Sequence, residues 1–273
     1  MAPPPKLLKI EVSSACNAAC AFCLHKDLKR AANPFMSLEM FTDILDAFPE
    51  TPHVQPQWFG ESFLHPRFQE IVGICKDRGK KVSYYTNGSL VHDHPEAVTL
   101  LGPGDVIKLS AEAMDKKTYE TVRKGLDWDR LLSNVELIRD LKCSGVKLTV
   151  RLMKIRENAR NFPEVVKFWK KLADSVQVED EAPRGVREVG GTWTKEAVCA
   201  RPREHFTVTA DGRAALCCMD WEKTCVFGNV RYEDPKELWD RTLSLRNTDK
   251  PLCRRCPIKF VPAGGRGKRT GEC

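Results

Sequence analysis

Long apolar runs are missing from this sequence. A run such as Ala214 to Met219 spans six residues, against the ~18 that a membrane-spanning helix requires. The N-terminus, Met-Ala-Pro-Pro-Pro-Lys, has neither the basic start nor the apolar middle of a secretory signal. Neither export nor membrane insertion is expected, and the chain reads as cytoplasmic. No internal repeat is present, and no block of like charge runs through the body of the chain. The net charge of +7 is concentrated at the end. From Arg254 onward, Arg254, Arg255, Lys259, Arg266, Lys268 and Arg269 stand against a single acid, Glu272. Such a tail is a solvated end or a contact for an anionic partner. The body gives no electrostatic sign of a nucleic-acid surface.

What the chain does contain is an ordinary globular balance, 42% hydrophobic and 30% charged, together with twelve cysteines. In a reducing compartment these are thiols or metal ligands, not disulfides. At ~150 residues per domain, 273 residues make two units, or one large α/β unit with an appendage.

The first 180 residues alternate strand-like and helix-like segments. Leu7–Ser13, Val54–Phe59, Lys81–Thr86, Asp105–Ser110, Val146–Met153 and Ser175–Glu179 are rich in β-branched and aromatic residues and read as strands. Pro56 weakens the second of these or marks its beginning. Between them, helical spacing joins Leu38, Phe41, Leu45 and Phe48, and again Phe68, Ile71, Val72 and Cys75. It recurs at Leu131, Val135, Ile138 and Leu141, and at Val165, Phe168, Trp169 and Leu172 behind Asn161 as N-cap. Six such alternations imply parallel strands joined by right-handed crossovers. The expected architecture is α/β, a partial (βα)6 barrel followed by a small cysteine-rich C-terminal domain. The boundaries expected are a barrel at 1–180, a linker at 181–198, a cysteine domain at 199–261 and a disordered basic tail at 262–273. Within the cysteine domain, Phe206–Thr209 and Ala214–Cys218 flank the hairpin turn Asp211-Gly212, and Asp234-Pro235 opens a helix.

Cys16, Cys20 and Cys23 occur as C-x3-C-x2-C directly after the first strand. Three thiolates on one loop can wrap one face of a cubane and supply three of its four iron ligands. The fourth iron is then open to a substrate or cofactor. A structural zinc site would be closed by four ligands, and His25 is placed to be the fourth, so zinc stays an alternative at this point.

At these residues the chain resembles the radical S-adenosylmethionine (SAM) superfamily, which has this cysteine spacing with an aromatic before the last cysteine, here Phe22. Gly60 and Glu61 match the last two positions of the family's Gly-Gly-Glu segment, whereas Phe59 replaces its first glycine. Asn87, Ser110, Glu112, Arg123 and Arg151 resemble positions that contact SAM in the family. They fall at or beyond the C-terminal ends of predicted strands, where barrel-type folds assemble their sites. The resemblance implies a [4Fe-4S] cluster chelated by SAM, and a 5′-deoxyadenosyl radical able to take hydrogen from an unactivated carbon. A reducing protein such as a flavodoxin or ferredoxin would supply the electron.

A second constellation, Cys199, Cys217, Cys253 and Cys256, suits zinc or a four-iron cluster equally well by geometry. In the family context its spacing, with Gly212 and Gly228-Asn229 between, resembles the SPASM extension or its shortened twitch form. That implies one auxiliary [4Fe-4S] cluster. Cys218 is left over and is a candidate hydrogen donor to a substrate radical, with Cys225 and Cys273 weaker ones. Cys75 and Cys143 read as small hydrophobic residues.

The expected function is hydrogen abstraction from a small polar substrate resembling an aminosugar or cyclitol, ending in oxidation or epimerisation. Two observations lead there: the chain begins almost at the first strand, leaving no room for a preceding peptide-recognition domain, and the twitch-like extension resembles that of aminocyclitol dehydrogenases. The alternatives are modification of a peptide or protein side chain by the same chemistry and, in a different class, a zinc-stapled module binding nucleic acid.

Overall fold

The computed structural model describes residues 3–27, 33–180, 199–244 and 251–254. The first half runs β1 (Leu7–Ile10), α1 (Leu38–Ala47), β2 (His53–Gln55), α2 (Phe68–Asp77), β3 (Lys81–Thr86) and the one-turn α3 (Glu96–Thr99). It continues through β4 (Val106–Ser110), α4 (Lys116–Val122), α5 (Trp128–Leu141), β5 (Lys147–Lys154), α6 (Phe162–Trp169) and β6 (Ser175–Asp180). The later residues form α7 (Arg201–Glu204), β7 (His205–Val208), β8 (Arg213–Ala215), β9 (Val226–Asn229), α8 (Pro235–Leu243) and α9 (Pro251–Arg254). The predicted linker at 181–198, the tail at 262–273 and Cys256 lie outside the described residues.

The described strands lie in one open sheet of order β6-β5-β4-β3-β2-β1-β7-β8-β9. Every pair from β6 to β1 is parallel, as the alternation with helices requires, so the six units form a partial, unclosed barrel. β7 also runs parallel to β1, in register Leu7 with His205 and Ile10 with Val208. β8 and β9 then add antiparallel, with β8 following the Asp211-Gly212 turn, where Gly212 takes φ +88°.

Local chemistry explains most element ends. Ser37 caps α1 by accepting from the Met40 N–H, and Asp127 caps α5 by accepting from Arg130. Asn161 precedes α6, but its side chain makes no cap bond; its backbone carbonyl accepts from Glu164 and Val165 instead. The strands predicted at Leu7–Ser13 and Val54–Phe59 are shorter than expected. Pro56 stands one residue beyond the Lys9–Gln55 pair, and without an N–H it ends β2 rather than beginning it. Helix α4 was not evident from apolar spacing; Asp115 caps it by accepting from Thr118.

Alternation divides each strand between two surroundings. Leu8, Ile10, Val54, Val82, Tyr84, Ile107, Leu109, Leu148 and Val150 point toward the helices and are fully buried in one continuous core. Phe206, Val208, Ala214, Leu238 and Trp239 belong to that same core, so the later segment shares it with the barrel strands. Burying Leu238 or Trp239 there contributes about 1.5–3 kcal/mol each. Trp239 also donates its indole N–H to the Pro3 carbonyl at 2.9 Å. Lys9, Ser83, Tyr85, Lys108, Ser110, Arg151 and Met153 occupy the alternate positions, on the concave face.

Candidate active site

A cavity of about 340 Å³ opens at the C-terminal ends of the barrel strands. It gathers residues from almost every unit: Lys9 and the cysteine loop after β1, Gln57 to Glu61 after β2, Tyr85 to Asn87 at β3, Ser110, Arg123, Arg151 and Met153. Cys218, Met219 and Trp221 reach it from the loop after β8. A larger groove, about 610 Å³ and lined by residues such as Glu136, Arg139 and Lys171, lies away from this cluster and holds no cysteine.

The cysteine loop is held by backbone rather than by a core of its own. Ala19 and Ala21 donate to the carbonyls of Lys124 and Val122, and Ser14 donates to Pro34. Gly60 packs against the start of the loop, and the next N–H, that of Glu61, donates to Ala15 at 2.7 Å. A Cβ on Gly60 would overlap the Ser13 carbonyl and stand 2.5 Å from that of Ala15. The close approach thus falls on Gly60, and Phe59, where the family has its first glycine, is accommodated beside Trp58.

Glu61 is buried, with both carboxylate oxygens occupied. It accepts from the Asn87 N–H at 2.7 Å, the Thr86 hydroxyl at 2.8 Å and the Phe63 N–H at 3.3 Å. Burial pushes its pKa up, and these donors oppose that shift. The carboxylate therefore ties the ends of β2 and β3 together. Asn87 extends the tie: its amide donates to Asn17 and its carbonyl accepts from Ser89. Asn17 lies inside the cysteine loop, which couples that loop to the β3 turn.

Arg123 and Glu112 form a buried pair, Nε to Oε2 2.5 Å, with side chains only 6% and 4% exposed. The Arg123 guanidinium lies over the Phe22 ring and reaches Cys20 Sγ at 3.8 Å. Its burial works against the charge, but Glu112 and then Cys20 more than compensate, holding the pKa above its ordinary value. Arg123 lines the cavity; Glu112 sits behind it and positions it. On the opposite wall Arg151 pairs with Glu179 and lies over the Tyr85 ring, which Lys108 also approaches.

The three loop cysteines all face this cavity. Burial pushes the Cys16 thiol up to about 12 and raises Cys20 as well, while Arg123 pulls Cys20 back. Thiolates held here call for cationic partners, which iron supplies. Among the described residues, no three His, Cys, Asp or Glu side chains converge tightly enough for one metal ion. A cubane differs from a single ion in that each thiolate takes its own iron, so the donors fit a cluster spread across the cavity. The His25 N–H donates to Cys23 Sγ at 3.4 Å, a contact of the kind that tunes cluster potential. His25 itself does not close the site: its Nε2 donates to the Ser14 carbonyl at 2.7 Å.

Of the predicted site residues, the structure brings Cys16, Cys20, Cys23, Phe22, Gly60, Glu61, Asn87, Ser110, Arg123, Arg151 and Cys218 to one cavity. Cys217 is buried beside this wall, and Cys199 and Cys253 are half-buried in the later segment. Cys218 packs with Trp58 and Ala215, and its carbonyl accepts the Trp58 indole N–H at 2.9 Å. Sequence reading missed Lys9, Tyr85, Gln57, Trp58 and Trp221. For Lys9 a signal existed: a charged residue between the apolar Leu8 and Ile10 marks a second, polar strand face.

The chain matches the family described as the Radical SAM superfamily over residues 10–168, and an iron-sulfur cluster-binding domain (SPASM) over residues 199–257. The second match favours a cluster over zinc for the later cysteines. The tungsten-containing aldehyde ferredoxin oxidoreductase cofactor-modifying protein of Pyrococcus furiosus is 26% identical over 187 residues, 65% of this chain and 52% of that protein. The chain spans about half the length of the curated relatives it matches. Among solved structures, BtrN in complex with AdoMet and 2-DOIA is similar at TM-score 0.57 and 17% identity, covering 94% of this chain and 95% of that one. The native anSMEcpe with bound AdoMet and Cp18Cys peptide is similar at TM-score 0.65 and 17% identity, covering 93% and 88%. With a family match over more than half its length, the chain belongs to the radical SAM superfamily and carries a C-terminal iron-sulfur cluster-binding domain.

Proposed function

We propose that this radical SAM enzyme abstracts hydrogen from a small polar substrate, resembling an aminosugar or cyclitol, and completes an oxidation or an epimerisation. The observation that carries the reading is the make-up of the concave face. Lys9, Gln57, Tyr85, Ser110, Arg123 and Arg151 line the cavity with hydrogen-bonding and charged groups, and an apolar substrate would desolvate them without replacing their contact with water.

The chemistry supplied by the bound [4Fe-4S] cluster and SAM is hydrogen-atom abstraction by a 5′-deoxyadenosyl radical. The chain's own residues do the rest. Cys16, Cys20 and Cys23 hold the cluster. Gly60, Glu61 and Asn87 fix the edge of the cavity beside it, and Ser110, Arg123 and Arg151 line the remaining wall where SAM binds. Phe22, Trp58, Met219 and Trp221 cover the space and keep water from it. Cys199, Cys217, Cys253 and Cys256 hold the auxiliary cluster, with 199–261 acting as its domain and 1–180 as the barrel. Cys218, facing the cavity, would return a hydrogen atom in an epimerisation, the thiyl radical left on it taking one electron from the external reductant and one proton; in an oxidation, Cys199, Cys217, Cys253 and Cys256 would hold the group that takes up the second electron. A flavodoxin or ferredoxin is the expected reductant.

The test is iron and sulfide analysis of the anaerobically purified protein, followed by deuterium tracing. Two four-iron clusters and substrate deuterium in 5′-deoxyadenosine are expected; stoichiometric zinc without iron would sink the proposal. Solvent deuterium in the product, lost in Cys218→Ala, marks epimerisation. The second reading, modification of a peptide side chain, is favoured by the peptide bound to anSMEcpe on a similar fold. Label transfer from a peptide but from no small molecule would select it.

A further inference from the structure

We infer that Lys9 anchors a carboxylate of the substrate inside the barrel. The inference rests on the proposed reaction and narrows its substrate to a small polar molecule bearing one carboxylate.

Lys9 lies on β1, is 4% exposed and lines the cavity. Among the described residues its ammonium has neither a hydrogen bond nor an ion pair. The other cations at the site are engaged: Arg123 with Glu112, Arg151 with Glu179, and Lys108 with the Tyr85 hydroxyl at 3.2 Å. Glu61 is committed to the β3 turn. Gln55 on β2 and Thr207 on β7 stand in register on either side of Lys9, sharing its face. Both are buried, and among the described residues Gln55 Oε1 and Thr207 Oγ1 have no hydrogen-bond partner, nor does Gln57 Oε1 on the cavity wall.

Buried charge without a counter-ion destabilises a fold, and unpaired polar oxygens add to the cost. Such a row persists where a ligand completes it. Lys9 supplies one positive charge, and its neighbours Gln55 and Thr207 are neutral. That matches one carboxylate whose adjacent hydroxyl or amino group donates to the amide and hydroxyl oxygens. A phosphate dianion calls for a second cation or a run of backbone N–H donors, whereas the described neighbours of Lys9 are the Gln55 amide, the Thr207 hydroxyl, the His205 imidazole and, two residues along, the Glu11 carboxylate, which is paired with Lys223. The SAM carboxylate has the same chemistry as a substrate carboxylate, so the experiment must separate the two.

Lys9→Met and Lys9→Arg would be compared with wild type as anaerobic, cluster-loaded full-length protein. In the absence of ligand, Lys9→Met should unfold at a higher urea concentration than wild type, because it removes an unpaired buried charge; a lower midpoint would make Lys9 structural and overturn the inference. Sodium acetate, against sodium chloride at equal ionic strength, should raise the Tm of wild type and Lys9→Arg but not of Lys9→Met. An acetate effect absent from wild type, or equal in all three, overturns it. Dialysis with labelled SAM should give the same affinity in wild type and Lys9→Met; a loss of about tenfold would assign Lys9 to the SAM carboxylate and overturn the substrate assignment. Failure of wild type to hold iron would remove the radical reading, while the urea and acetate comparisons would still decide Lys9.

Discussion

On β1, Leu8 and Ile10 face the helices and Lys9 between them faces the cavity; on β3, Val82 and Tyr84 face outward and Ser83 and Tyr85 inward. The helix-facing residues are held by close packing and tolerate little change of volume. The concave ones are held by pairs such as Arg123–Glu112, Arg151–Glu179 and His53–Ser83, or have no hydrogen-bond partner among the described residues, as at the Lys9 ammonium and the Thr207 hydroxyl. Two faces of the same backbone thus divide the labour: one stabilises, and the other is left ready for ligands at some cost in stability.

The largest effect is expected where a concave-side pair is broken. Arg123→Met leaves the Glu112 carboxylate buried and alone, which should cost about 3–5 kcal/mol of stability. Urea unfolding would measure the loss, and adding Glu112→Gln should recover much of it. No recovery would mean that the pair is not what holds that wall.

The two faces are separated most directly by Leu8→Ala and Thr207→Val. Leu8→Ala should lose about 2–5 kcal/mol through its cavity in the core. Thr207→Val, removing a buried hydroxyl that lacks a partner, should be near neutral or stabilising. Equal losses in the two would erase the distinction between the faces.

Gly60→Ala tests the edge where the faces meet. Its methyl group meets backbone carbonyls that cannot turn away, so about 1–3 kcal/mol should be lost. Iron content should fall with it, because the cysteine loop must move. A variant that keeps both stability and iron would show the approach to be looser than the structure has it.

The smallest effect concerns pH. The His205 imidazole is pushed down to about 4 by burial, with Lys9 and then Arg201 adding to the shift. The unfolded chain takes up this proton near 6.5 and the folded chain only near 4, so stability falls as pH drops through that window. Between about pH 7 and about pH 5.5 the loss should be roughly 1 kcal/mol, and His205→Gln should flatten it. An unchanged slope in the variant would place the dependence elsewhere.

Much of this was legible in the sequence for simple reasons. Apolar alternation and helical spacing are local, so β3, α1, α2 and α5 fall where their patterns put them. The cysteine loop was legible because its spacing is short and its chemistry narrow. Helix α4 was not, because it is specified by Asp115 capping more than by an apolar stripe. The parallel pairing of β7 with β1 joins residues about two hundred positions apart, a contact no local pattern encodes.

The sequence by itself determined the family, the alternation of strands with most of the helices through β6, and the gathering of three thiols on one loop, since each rests on neighbours within a few turns of chain. Only the tertiary structure decided that Cys218 and Trp221 share a cavity with that loop, that Glu61 commits its charge to the β3 turn, and that Lys9 points inward without a partner among the described residues. Those facts depend on sheet order and strand register, which bring distant residues side by side and are fixed by the packing of the whole.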